Sequence, residues 1–175
     1  MPLTAASLPS QAPTYATPFD RAVAFCDAQT LVATGDLSNF NSQIDLGGVA
    51  GLPGGGIGSG SGGRHQGMWI LNITSMDLSS GDEFYRFHLL GSNDAAFGNG
   101  NVDLLGFHDF AAASAGRIIT PLMGASLPAP TRVHVPWTSL RQGITYRYLK
   151  ARAVLGGTTP SVTITSWLSF TDQRI

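Results

Sequence analysis

The sequence predicts an all-β chain: an antiparallel jelly-roll β-sandwich of about eight strands behind an extended N-terminal arm. Three observations carry this. Apolar residues recur at every second position in several segments, Gly/Pro/Asn clusters separate those segments, and no window sustains a 3.6-residue apolar period capped at both ends. Short strands between turn signals pack as a sandwich, and the jelly roll is the commonest eight-stranded form.

Residues 1–20 hold Pro2, Pro9, Pro13 and Pro18 among small and hydroxyl residues. Proline denies them helix and ladder hydrogen bonds, so they read as an extended arm, either disordered or ordered on a partner, with Tyr15 and Phe19 as its aromatic anchors. Residues 21–175 read as one jelly-roll domain. "AVAFC" (Ala22–Cys26) is a short apolar run, and a shorter candidate lies at Gln43–Leu46 before a Gly/Ser-rich loop at 47–67. "MWILNITSM" (Met68–Met76) is bulky and β-branched. "EFYRFHLL" (Glu83–Leu90) sets Tyr85, Phe87 and Leu89 against Phe84, Arg86 and His88. Val102–Phe107 and Arg117–Leu122 are short candidates, and "GFHDFAAASAG" between them has room for a turn or two of helix. "TRVHVPW" (Thr131–Trp137) alternates Val133 and Val135 with Arg132, His134 and Pro136. Leu149, Ala151, Ala153 and Leu155 alternate in "TYRYLKARAVL", and Val162, Ile164, Leu168 and Phe170 share a face of "SVTITSWLSF". "GGTTP" between the last two segments supplies the turn of a hairpin.

Composition narrows the function. The 175 residues fit one domain with a tail, and 43% are hydrophobic, enough for a real core. Only 12% are charged, and the net charge is −1. Such a neutral, hydroxyl-rich surface suits packing against protein, and it offers no cluster of cations for nucleic-acid phosphates. Cys26 is the only cysteine, which excludes an internal disulfide or a cysteine zinc cluster and fits synthesis in a reducing cytosol. The opening "MPLTAASLPSQAP" lacks the basic and apolar regions of a secretory signal, and no apolar run approaches the roughly 18 residues of a membrane span.

About half of the 22 glycines lie between Gly47 and Gly67, and Gly58, Gly60 and Gly63 spell GxGxxG. A dinucleotide site needs that pattern after a strand and before a helix, because the helix N-terminus holds the pyrophosphate. Here it follows a loop-like stretch and precedes a strand. Arg64 and His65 stand where a Walker A loop needs Lys and Ser/Thr. The run reads as a loop, floppy or pressed against a partner, since glycine lets backbone approach a flat surface closely.

Catalytic candidates are thin. His65, His88, His108 and His134 fall on different elements without metal-ligand spacing, and the adjacent His108–Asp109 pair does not converge as an oriented dyad. Asp77, Asp82, Glu83, Asp94, Asp103 and Asp109 sit mostly at turns and strand ends, where carboxylates cap backbone N–H groups. "GSNDAAFGNGNVD" has the oxygens of a calcium loop but reads more simply as a turn. Cys26 has no basic neighbour to activate it and reads as a small buried hydrophobe. The sequence gives no catalytic, cofactor or metal residue, and it does not read as an enzyme.

Three segments in order carry a resemblance: "FCDAQTLVATGDLSNFNSQIDLG" (Phe25–Gly47), "FHLLGSNDAAF" (Phe87–Phe97) and "YRYLKARAVLGGTTPSVTITSWLSFTDQR" (Tyr146–Arg174). The "DAQ" after the first strand, the "S.N.IDLG" closing the first loop, and the "RYLR"-type strand with a glycine turn and a final strand resemble the capsid cement (decoration) proteins of short-tailed bacteriophages. The proline-rich arm and the insertion at Gly51–Gly63 depart from that pattern. The resemblance implies a virion structural protein, made in the host cytoplasm and placed on the capsid exterior. It would bind the major capsid protein across subunit junctions and stabilise the shell against DNA pressure, as a homodimer or, as the other closed form, a trimer. It implies no nucleic-acid or membrane partner and no cofactor. Expected capsid contacts are Tyr15, Phe19 and Arg21 of the arm and Arg64 and His65 beside the loop. The self-interface is expected on an edge strand with aromatics or on the outward face of the last hairpin, at Tyr146, Tyr148 and Trp167, with burial in the monomer core the competing fate of these aromatics and of Trp167 above all. A carbohydrate- or receptor-binding jelly roll of a phage fibre is the alternative, marked by aromatics clustered with Asn and Asp in one concavity. An enzymatic cupin-like barrel would need histidines converging on a metal.

Overall fold

Period-two patterning becomes strands in the computed structural model, which describes residues 21–47, 64–98, 102–112 and 131–170. A 3-10 turn, Arg21–Val23, leads into β1 (Ala24–Leu31), β2 (Gly35–Asp36), β3 (Ile44–Asp45), β4 (Gln66–Met76), β5 (Phe84–Ser92) and β6 (Val102–Ala111). Then come β7 (Thr131–Thr138), β8 (Leu140–Arg141), β9 (Ile144–Thr145), β10 (Tyr148–Gly156) and β11 (Val162–Phe170). Two antiparallel sheets form a sandwich. The first runs β1-β11-β4-β7 and the second β2-β10-β5-β6, with β3 also paired to β10. The small β8–β9 hairpin stands apart.

Each long strand turns one face inward, because alternate side chains point to opposite faces of a sheet. Trp69, Leu71 and Ile73 of β4, with Val162, Ile164 and Leu168 of β11, meet Tyr85, Phe87 and Leu89 of β5 and Leu149, Ala151 and Ala153 of β10 in one buried core. The inward residues of β5, β10 and β11 are those the alternation assigns.

Four expectations need correction. First, β10 and β11 are not a hairpin: β10 pairs with β5, while β11 pairs with β1 and β4 in the other sheet. Alternation shows that a strand has one apolar face but not which sheet it joins, and two successive strands facing each other across the core satisfy it equally. The connection between them is fixed by Asp82, whose carboxylate accepts from the Thr158 backbone N–H (2.9 Å) and hydroxyl (3.0 Å). It also needs Gly157, at φ 97°, where a Cβ would lie 2.6 Å from the Asp82 carbonyl oxygen. Second, Gly106–Ala111 is strand, not helix, because it pairs with β5 along its length. Third, the glycine-rich loop is shorter than 47–67. Gln66 and Gly67 belong to β4, and a Cβ on Gly67 would stand 1.9 Å from the Ser169 carbonyl oxygen. Fourth, the first strand runs on to Leu31 through two irregularities in register, with Ala28 at φ 47°. The N-terminal arm, the remainder of the glycine run and Arg117–Leu122 lie outside the described residues.

Candidate functional site

The segments that carry the resemblance meet in space. Asp45 of β3 holds Arg147, just before β10, through two parallel bonds of 2.8 Å, a fork that matches guanidinium to carboxylate. The same Asp45 carboxylate caps the Gly47 N–H at 2.9 Å, and Leu46 N–H donates to the Arg147 carbonyl. From the loop after β5, Asn93 accepts from the Arg147 N–H at 3.0 Å and donates to the Thr145 carbonyl. The carboxylate drives the Arg147 pKa upward, so the clamp stays charged. "IDLG", "GSND" and "RYLK" are thus one junction.

"DAQ" and "SNFN" form a second. Gln29 accepts from the Ser38 and Asn39 N–H groups and donates to the Asp36 carbonyl. Asn39 exchanges bonds with the Asp27 backbone at 2.9 and 2.8 Å, while Asn41 donates to the Ala24 carbonyl at 2.6 Å. Amide side chains here replace the ladder bonds lost at the β1 irregularities.

The outer face of the second sheet carries ordered cross-strand rows of charged and aromatic side chains. Across it, Asp36, Arg152, His88 and Phe107 stand in one cross-strand row, Lys150, Leu90 and Leu104 in another, and Val154, Arg86 and Asp109 in a third. Arg86 pairs with Asp109 at 3.6 Å, and Lys150 and Arg152 approach Asp36 at 3.6 and 3.9 Å. His88 lies against Phe107 with ring centres 5.8 Å apart. Burial, opposed by Asp109 and reinforced by Arg86 and Arg152, lowers the His88 pKa. The β6 rim is apolar: Val102, Leu104 and Phe107 are 37%, 38% and 39% exposed. Charged side chains thus occupy the middle of this face, and the exposed apolar residues lie along its β6 edge. Arg141 of β8 caps part of that edge by donating to the Leu104 carbonyl.

At the corner of the sandwich a cleft of about 430 Å³ is lined by Arg64, Gln66, Gly67, Met68, Leu105, Pro136, Trp137 and Thr138. Behind it Phe170 makes edge contacts with Trp137 (5.6 Å) and His65 (6.1 Å).

The expected contact residues divide. Arg21 is exposed and lies 4.2 Å over the Phe40 ring, and Arg64 is exposed at the cleft. His65 is not a surface contact: it is 5% exposed against Phe170, its N–H bonded to Ser139 Oγ, and burial lowers its pKa. Tyr146 is also withdrawn, because its hydroxyl bonds Asp103, which raises its pKa, and the side chain is buried. Trp167 points to the outer face of the first sheet but is 3% exposed, packed with Ala24, Ile70 and Met68 and with Arg132 5.5 Å over its ring. Tyr148 is half-buried on the outer face of the second sheet, 5.1 Å from the Arg147 guanidinium. Burial, not chemistry, removes these residues, and alternation alone does not register what packs on an outer face. Tyr15 and Phe19 lie outside the described residues. The cleft had one signal in sequence, the adjacency of Arg64 to a strand start; the β6 rim had none.

Among the described residues no group of three His, Cys, Asp or Glu side chains is placed to hold a metal ion, and no helix is long and apolar enough to cross a membrane. Asp94 of "GSNDAAF" spends its oxygens on the Ala96 and Gly98 N–H groups, which lowers its pKa. No family model and no curated protein sequence matches the chain.

Proposed function

We propose that this chain is a virion structural protein of the capsid-cement class. In this reading it binds the outer surface of an icosahedral phage capsid across junctions between major-capsid-protein subunits and braces the shell against packed DNA. The observation that carries the reading is the convergence on Arg147 of segments from all three parts of the resemblance. A chance likeness in sequence has no reason to assemble into one junction. The strand order supports it too: we read β1-β11-β4-β7 over β2-β10-β5-β6 as the winding of a jelly roll. The contact surface in this proposal is the outer face of the second sheet together with Arg64, Arg21 and the Tyr15 and Phe19 of the preceding segment. The edge strand β6 is the place for a two-fold contact between copies.

Cementing needs no catalytic group. A protein that binds only the assembled lattice shifts the equilibrium away from disassembly by mass action. A copy touching two subunits gains from effective concentration, so modest contacts suffice. The carbohydrate-binding alternative asks for exposed aromatics with Asn and Asp in one concavity, whereas the described cleft holds Arg64, Gln66 and a buried Trp137. The test mixes purified protein with capsids lacking it and pellets them. Saturable co-sedimentation at a fixed ratio to capsid subunits, with slower heat disruption, is the expected result, and Phe107→Glu with Leu104→Glu weakens it. Protein that stays in the supernatant at all concentrations overturns the proposal.

A further inference from the structure

We propose that the cleft beside Trp137 is a docking site for the chain's own proline-containing segment, residues 1–20, taken up as an extended strand. This inference does not depend on the cementing reading. The cleft's size, about 430 Å³, is that of a site for a small ligand or a few residues of chain. Met68, Leu105 and Pro136 give it apolar walls, and Arg64 and Thr138 bring hydrogen-bond donors to its rim. A proline-rich segment complements both features: its rings fill apolar grooves beside an aromatic residue, and its carbonyls have no internal hydrogen bonds to give up. Trp137 lines the cleft, and its buried indole N–H has no acceptor among the described residues.

The root of the segment identifies the occupant. Ala24 lies in register with Trp167, Ile70 and His134 across the first sheet, and Phe170, Gly67 and Trp137 form the row three residues further along. Arg21, three residues before Ala24, leads out at the same end. It is pinned there by the Phe40 ring and by the Asn41 amide, which donates to its carbonyl. From β1 to β7 is three strand spacings, roughly 14 Å. Twenty extended residues reach about 60 Å, so the span is easily bridged. A tethered segment meets the cleft at an effective concentration near the millimolar range, ahead of a second molecule at ordinary protein concentrations.

Limited chymotrypsin digestion of the full chain, which cuts after Tyr15 and Phe19, tests this. Arg64→Glu with Pro136→Glu alters two exposed positions of the cleft, leaves the thermal midpoint within a few degrees and speeds cleavage of the segment about tenfold, because proteolysis follows the undocked population. The rate is independent of protein concentration. A second measurement needs no change in the body: Pro9→Ser with Pro13→Ser moves the indole N–H resonance of Trp137, assigned through Trp137→Phe, and leaves that of Trp69 in place. Equal cleavage rates with an unmoved Trp137 resonance overturn the proposal. Protection that grows with protein concentration overturns it as well, in favour of a second copy's segment.

Discussion

The Trp69 indole N–H donates to Ser166 Oγ over 2.8 Å, with both residues fully buried. A polar pair sealed between two apolar layers is worth little more than its replacement by apolar groups, but half of it is expensive to keep. Ser166→Ala therefore lowers stability by about 1–3 kcal/mol, the cost of stranding a buried donor. Trp69→Phe combined with Ser166→Ala loses less than the two single changes summed, and a denaturant-melt double-mutant cycle reads the difference. Tyr85 is tied similarly. Its hydroxyl accepts from the Ser161 N–H and faces the Asp77 and Ser161 carbonyls, joining the connection after β4 to the one before β11. Pattern identified Tyr85 as an inward residue, but not its partners, which lie on connections far apart in sequence.

Among elements, the step from β10 to β11 carries the chain from one sheet to the other through left-handed backbone at Gly157 and Thr159. Gly157→Ala forces a Cβ against the backbone of Asp82 and Glu83 at a positive φ. Its expected cost is about 1–3 kcal/mol, read as a lower urea midpoint with an unchanged slope. The same substitution at Gly143, also at positive φ but with open space around it, costs less. Turn residues at 156–160 announced a reversal. They did not distinguish a hairpin from a crossing between sheets, since glycine supplies left-handed backbone to both.

For the whole molecule, burial of titratable groups sets an alkaline limit. Burial pushes the Cys26 thiol from 9.0 up to about 12 and the Tyr85 phenol from 10.0 up to about 12. Both are raised in the folded state, so their contribution is complete below the unfolded values and is lost as pH climbs toward the folded ones. Stability is expected to hold up to about pH 9 and then fall, at roughly 1 kcal/mol per pH unit from Cys26. Tyr85 adds to that slope above pH 10, where its phenol ionises in the unfolded chain but stays protonated in the fold. Cys26→Ala removes the drop that begins near pH 9, Tyr85→Phe the later one, and urea melts across the series measure both. Sequence by itself determined an all-β sandwich, the inward faces of β5, β10 and β11, and the inert character of Cys26, because alternation and turn chemistry act between near neighbours. Tertiary structure alone decided which sheet each strand joins, the meeting of Asp45, Asn93 and Arg147, the burial of His65, Tyr146 and Trp167, and the exposed β6 rim. These are contacts between residues tens of positions apart, and no local periodicity encodes which distant strand covers a given face.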